Sequence, residues 1–86
     1  DSAAARILAR SAGQPLPLGT DLTPREREIL ALLAAGKTNK GIGKVLTLSP
    51  LTVRMHVSSI LSKLGTSNRT EAANMAMRHK LVPRYD

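Results

Sequence analysis

Residues 49–65 read SPLTVRMHVSSILSKLG, and this stretch predicts the longest helix of the chain, over roughly 50 to 63. Ser49 before Pro50 is typical of an N-cap followed by a proline at the first helical position, and Gly65 is typical of a residue that ends a helix. One face of the helix is apolar and consists of Val53, Val57, Ile60, Leu61 and Leu64. The other face is mostly polar and consists of Thr52, Arg54, Met55, Ser58, Ser59 and Ser62. The pattern predicts a helix that packs on one side and is open on the other.

A first helix is predicted over residues 24–35. Thr23 precedes Pro24, and Glu26 stands three residues after Thr23, which is the spacing of a capping box. Apolar residues at helical spacing follow, and Gly36 is expected to end the helix in the left-handed conformation.

The second predicted helix is short and is capped by Thr38 or Asn39. Its expected buried face is Ile42, Val45 and Leu46. Gly41 and Gly43 each cost about 1 kcal/mol relative to alanine inside a helix, so tertiary contacts must hold this element together.

A fourth helix is predicted from near Asn68, whose spacing to Glu71 suits a capping box, to about His79. Its small and apolar side chains cover two arcs rather than one, and they are Ala72, Ala73, Met75, Ala76 and Met77. One arc is expected to face the core and the other to form a two-fold contact with a second copy of the chain. The sequence pattern does not distinguish the two arcs.

Together these helices predict an all-α fold, a four-helix bundle that contains a helix-turn-helix. Only residues 46–49 separate the second and third helices, so the second is expected to brace the third across a shared apolar seam. The domain is predicted to span 21–82. Residues 1–20 are rich in Ala, Arg and Pro and favour a partly disordered linker or tether, and residues 83–86 favour a frayed tail.

Charge is distributed unevenly along the chain. Residues 29–70 contain no Asp or Glu, yet they carry six of the 13 basic side chains and hence most of the net charge of +7. They are Lys37, Lys40, Lys44, Arg54, Lys63 and Arg69. A field of one sign favours a polyanionic partner, because each neutralised phosphate releases condensed counterions. Charge alone leaves nucleic acid, an anionic membrane and an acidic protein open as partners.

Composition excludes several classes of protein. The chain has no cysteine and no His-Glu pair at ligand spacing, which argues against a disulfide scaffold, a metal site or a cofactor. Its single aromatic residue, Tyr85, argues against stacking on single-stranded bases. No apolar run is long enough to cross a bilayer, so a cytoplasmic protein is expected. The chain begins with Asp1, which suggests that an N-terminal part is missing.

Five motifs occur in a fixed order along the predicted domain. They are LTPREREIL at 22–30, GKTNK at 36–40, SPLTVRMH at 49–56, ILSKLG at 60–65 and RTEA at 69–72. In this order and spacing they resemble the LuxR-type DNA-binding domain, the effector module of NarL/FixJ response regulators and of quorum-sensing regulators. The resemblance implies the C-terminal output domain of a bacterial transcription regulator that binds double-stranded DNA. It also implies an N-terminal receiver or sensor domain outside this chain.

The resemblance implies roles for individual residues. The third helix would approach base edges through Arg54, Met55 and Ser58. Four residues would approach phosphates, namely Asn39, Lys40, Thr52 and Lys63. Arg54 matches the O6 and N7 acceptors of guanine, and Met55 suits a thymine methyl group. The fourth helix would form the homodimer contact.

The chain departs from the family at three positions. Gly41 and Gly43 stand where the family commonly has Glu and Ala, so the second half of a capping box with Thr38 is lost. Thr47 stands where the family often has Gly, so the geometry of the turn is an open point.

Competing functions are weaker matches to these residues. A promoter-recognition domain of a sigma factor has a similar order of helices, but 49–56 fits the LuxR-type pattern better. The resemblance to the LuxR-type domain also leaves open a quorum-sensing regulator controlled by a ligand, as an alternative to a two-component response regulator. A membrane-surface or protein-interaction module would not explain the serines on the third helix. No set of a nucleophile, a base and an orienting group, and no phosphate-binding glycine loop, can be assembled, so the sequence predicts no enzyme.

Overall fold

The computed structural model describes residues 18–82, and these residues form four helices joined by short loops. Helix α1 spans Pro24–Ala34, α2 spans Asn39–Leu46, α3 spans Pro50–Leu64 and α4 spans Arg69–Arg78. No strand occurs between residues 18 and 82, so the predicted all-α fold is confirmed. Residues 1–17 of the predicted linker and the predicted tail at 83–86 lie outside the described residues.

The helices begin where the sequence predicts them. The Thr23 hydroxyl accepts a hydrogen bond from the Glu26 amide at 3.1 Å, and the Glu26 carboxylate accepts one from the Thr23 amide at 2.8 Å, which completes the capping box. Ser49 and Asn68 cap α3 and α4 through one side-chain oxygen each. The capping box predicted for Asn68 and Glu71 is only half formed, because the Glu71 carboxylate accepts from the Ser67 amide at 3.4 Å rather than from the Asn68 amide. These caps satisfy backbone amides that a helix leaves without an internal partner.

Glycines end α1 and α3 as predicted. Gly36 has φ +90° and Gly65 has φ +69°, both in the left-handed region. After α1, the Lys37 amide donates to the Leu32 carbonyl at 3.0 Å, which closes the turn around Gly36. The left-handed glycines therefore end the two helices and let the chain leave the helical path.

Helix α2 is stabilised by contacts with neighbouring elements rather than by the helix propensity of its own residues. Thr38 keeps half of a capping box, because its hydroxyl accepts from the Gly41 amide at 3.0 Å. Ile42 is fully buried and Leu46 is partly buried. The prediction that Val45 is buried is wrong, because 56% of this residue is exposed. Gly43 is buried instead and brings the inner face of α2 directly against the turn.

The turn between α2 and α3 depends on two unusual positions. The Leu48 amide donates to the Gly43 carbonyl at 2.8 Å, and a Cβ atom on Gly43 would clash with the Leu48 carbonyl oxygen. Thr47 adopts φ +59°, a left-handed conformation that is uncommon for a β-branched residue. Gly43 is therefore required for the turn, since the absence of a side chain at this position allows the turn to close onto α2.

The core lies where the four helices meet and is purely aliphatic. Its buried members are Leu22, Ile29, Leu30, Leu33, Ile42, Val53, Val57, Ile60, Leu64, Ala72 and Ala76. The two alanines identify the arc of α4 that faces the core. Because Ala72 and Ala76 have no exposed surface, they are removed from the predicted contact with a second copy. Met77 remains exposed, and Ala73 and Met75 are partly buried.

Candidate nucleic-acid interface

The outer face of α3 carries a continuous stripe of exposed side chains. Arg54, Met55 and Ser58, the three residues predicted to contact bases, are all exposed, and Leu51 joins them with 62% of its surface exposed. Residues three, four and seven apart share one side of a helix, so these four lie together. The opposite side is anchored in the core by Val53 and Ile60, both fully buried. Sequence reasoning missed Leu51, although its spacing of four from Met55 was a usable signal.

The first turn of α2 presents a cation and a tethered amide. Lys40 is exposed, as a phosphate contact requires. Asn39 is half-buried, and its Oδ1 accepts a hydrogen bond from Nη1 of Arg69 at 2.9 Å. Nη2 of the same arginine donates to the Lys37 carbonyl at 2.8 Å. Arg69 thus ties the start of α4 to the start of α2, and it leaves the amide nitrogen of Asn39 available to donate.

Two hydroxyl groups meet at the start of α3. The Ser49 hydroxyl accepts from the Thr52 amide at 3.1 Å and donates to the Thr52 hydroxyl oxygen at 3.0 Å. Because the Thr52 oxygen is the acceptor in this pair, its own hydrogen is free to donate outward. That geometry suits the predicted contact between Thr52 and a phosphate oxygen.

Lys63 occupies a different environment from the other predicted phosphate contacts. Its Nζ donates to Oε1 of Glu26 at 2.7 Å, and only 26% of its side chain is exposed. Ser59, predicted for the outer face of α3, turns inward and donates to Oε2 of the same carboxylate at 2.7 Å. In this structure the ammonium group of Lys63 neutralises Glu26 and joins α3 to α1.

Glu26 is buried, yet it is charged. Burial alone raises the pKa of a carboxyl group, but the hydrogen bond from Lys63, the Thr23 amide, the Ser59 hydroxyl and the positive charge of Lys63 outweigh it. Their combined effect lowers the pKa of Glu26 to about 2. The sequence predicted the capping box but not this ion pair, because Lys63 lies 37 residues away.

The surface around α2 and α3 is positively charged. Both helices lack acidic residues, and their exposed cations are Lys40, Lys44 and Arg54. The exposed acids of residues 18–82 are Glu28, which pairs with Arg25 at 3.4 Å on α1, and Glu71 on α4. A polyanion that approaches the outer side of the helix-turn-helix therefore meets basic side chains and no carboxylate of these two helices.

Other kinds of site find no support in the described part of the chain. Between residues 18 and 82, no three His, Asp or Glu side chains are grouped so that they could hold a metal ion. Within the same range, no helix has the length and apolar character needed to cross a membrane.

Known proteins resemble this chain in sequence and in fold. Residues 20–76 match the model of the family described as bacterial regulatory proteins, luxR family. The chain is 56% identical over 61 residues to the transcriptional regulatory protein LiaR of Bacillus subtilis (strain 168), covering 71% of this chain and 29% of LiaR. It is 46% identical over 61 residues to the response regulator protein VraR of Staphylococcus aureus (strain NCTC 8325 / PS 47), with the same 71% and 29% coverage.

A solved structure extends the likeness to the fold. The structure of the transcription factor GerE superposes with a TM-score of 0.65 at 40% identity, covering 72% of this chain and 92% of GerE. The chain therefore spans less than a third of LiaR and VraR but nearly all of the superposed GerE chain. Since the family match extends over more than half of its residues, the chain belongs to the luxR family of bacterial regulatory proteins.

Proposed function

We propose that this chain is the DNA-binding output domain of a bacterial transcription regulator and that it binds double-stranded DNA with sequence preference. The observation that carries the proposal is the asymmetry of α3. One side of this helix is locked into the core, and the other is exposed within a cationic surface formed by α2 and α3. A helix of this kind fits the major groove, which is about 12 Å wide, while α2 crosses the phosphate backbone.

The proposed roles follow from exposure and donor chemistry. Arg54 donates to O6 and N7 of a guanine, Ser58 hydrogen-bonds to a base edge and Met55 packs against a thymine methyl group. Lys40, the amide group of Asn39 and the Thr52 hydroxyl contact phosphates. Lys63 contributes to the interface mainly by keeping Glu26 neutralised, since its ammonium group is already paired.

The proposal extends to the longer protein. LiaR and VraR carry the names of regulatory proteins, and this chain matches less than a third of each. We therefore propose that the chain is attached to an N-terminal receiver domain, as in a two-component response regulator, and acts in the cytoplasm. A homodimer through α4 would place two copies on adjacent half-sites about 10 bp apart.

The test combines selection with two substitutions. Duplexes recovered from a random pool by the wild-type chain should share a sequence, and log K should fall with log salt by about 0.9 per neutralised phosphate. Lys40→Ala should weaken binding to all sequences alike and reduce that slope by about 1, whereas Arg54→Ala should lose about 1–3 kcal/mol of discrimination at particular base pairs.

Arg25→Ala is the matched control, because it removes an exposed cation from α1 outside the proposed interface. The affinity of Arg25→Ala for the selected duplex should stay within about twofold of wild type, because the lost side chain belongs to a weak, solvent-exposed ion pair on α1. Binding that does not change with salt would contradict the proposal. Equal effects of Lys40→Ala and Arg54→Ala on all sequences would contradict the assignment of roles.

A further inference from the structure

Two large apolar side chains lie exposed on the outer face of α3. Leu51 is 62% exposed and Met55 is 66% exposed, which makes them the most exposed large hydrophobic residues between positions 18 and 82. They are four residues apart, so they stand one above the other on the same side of the helix. Apolar area left in water on a helix that packs well elsewhere indicates a partner with an apolar group at this place.

The surroundings of this pair limit the partner. Arg54 lies between the two residues along the chain and is exposed on the same face, and Lys40 and Lys44 are exposed on α2. No acidic residue occurs on α2 or α3. An apolar pair inside such a cationic surface fits a polyanion that also presents apolar groups. In the major groove of DNA the base pairs present one apolar group, the C5 methyl of thymine.

We propose that Leu51 is a specificity-determining residue that packs against the C5 methyl group of a thymine, next to Met55, which contacts a second methyl group. This inference rests on the proposed DNA-binding function and adds a residue and a ligand group to it. Residues four apart are separated by about 6 Å along the helix axis, and successive bases of one strand by about 3.4 Å. The two methyl groups therefore lie one or two base steps apart.

The chemistry of the contact predicts a defined effect. Leu51 is at the second position of α3 and Met55 lies one turn later, so each side chain contacts its own methyl group. Removing one buried methyl from the contact should weaken binding about fourfold, as expected for one buried carbon. Neither residue supports the core, so truncation of either should leave the fold intact.

The experiment exchanges thymine for deoxyuridine, which deletes the C5 methyl group and keeps the hydrogen-bonding edge. The probe is a duplex selected from a random pool by the wild-type chain, with each thymine replaced singly. Two positions one or two steps apart should each lose about fourfold in affinity. Leu51→Ala should bind the parent duplex about as weakly as wild type binds one of the substituted duplexes, and should become insensitive to that one substitution. Met55→Ala should become insensitive to the other.

Val45→Ala is the matched control, because Val45 is an exposed apolar residue of α2 rather than α3. It should keep the wild-type sensitivity to both deoxyuridine substitutions. If wild type binds every deoxyuridine duplex as tightly as it binds the selected parent duplex, the inference is overturned while the proposed function stands. Unchanged DNA affinity of Leu51→Ala also overturns it. If no duplex is selected at all, the proposed function itself fails.

Discussion

Glu26 connects the start of α1 to the C-terminal half of α3 through one carboxylate. It accepts hydrogen bonds from the amide of Thr23, from the hydroxyl of Ser59 and from the ammonium group of Lys63, at 2.7 to 2.8 Å. The last two belong to α3, so the carboxylate fixes the C-terminal half of that helix against the start of α1. A buried carboxylate is tolerated only where charge and hydrogen bonds compensate for lost hydration, as they do here.

The pKa of Glu26 predicts an acid transition. Because the pKa is lowered from 4.5 to about 2, the ionised group stabilises the fold fully above pH 4.5, and this contribution is lost as the pH falls from about 4.5 to about 2. The free energy of unfolding should fall by on the order of 2–3 kcal/mol across that window. Urea unfolding followed by circular dichroism at several pH values measures it.

Two substitutions isolate the contribution of this carboxylate. Glu26→Gln should be less stable than wild type at pH 7 and should lose most of the decline between pH 4.5 and pH 2. Glu28→Gln is the control, because Glu28 is an exposed residue of the same helix and its pair with Arg25 is weak. A Glu26→Gln variant that keeps the full wild-type pH dependence would show that other groups cause it.

At the scale of elements, α2 shows how a weak helix is held in place. Its two glycines have opposite environments. A Cβ on Gly41 would meet Oγ1 of Thr38 at 3.4 Å, an ordinary contact, whereas a Cβ on Gly43 would clash with the backbone oxygen of Leu48. The position of α3 relative to α2 therefore depends on the absence of a side chain at residue 43.

The two glycines should respond in opposite directions to the same substitution. Gly41→Ala should stabilise the chain by up to about 1 kcal/mol, because alanine favours the helix and has room. Gly43→Ala should destabilise it by about 1–3 kcal/mol, because the backbone of the turn must move. Urea midpoints of the two variants, measured in parallel, test this. Equal stabilisation by Gly41→Ala and Gly43→Ala would mean that the Leu48 carbonyl does not pack tightly against residue 43.

At the scale of the whole molecule, the surface proposed for DNA and the surface proposed for pairing lie on different helices. The face proposed for DNA belongs to α2 and α3, while α4 uses Ala72 and Ala76 to pack into the core and exposes Met77. Arg69 links the two regions, because its guanidinium group reaches from α4 to Asn39 and to the Lys37 carbonyl. Because the two proposed surfaces belong to different helices, pairing through α4 would leave the outer face of α3 open for the major groove.

The proposed pairing predicts cooperative binding that depends on Met77. Met77→Glu places a charge at an exposed position and should leave the monomer folded. On a duplex with two half-sites about 10 bp apart it should lose cooperativity, while its affinity for a single half-site should fall only slightly. Titrations of one-site and two-site duplexes, monitored by analytical sedimentation, measure the single-site affinity and the cooperativity. Undiminished cooperativity of Met77→Glu would contradict pairing at this residue.

The sequence by itself determined the elements of this protein and the charge of its surface. Caps such as Thr23 and Ser49 and end residues such as Gly65 act within a few positions of the chain, so local pattern was sufficient to place the helices. The acid-free character of residues 29–70 is likewise a property of the sequence, independent of the fold.

Only the tertiary structure decided which side of each helix is used. It placed Ala72 and Ala76 in the core, exposed Val45 and paired Lys63 with Glu26. The physical reason is that burial and ion pairing depend on groups far away in sequence, whose approach is set by the packing of the helices together. An alanine-rich helix with two apolar arcs, or a lysine on a basic segment, has no local signal that distinguishes a core or paired role from an exposed one.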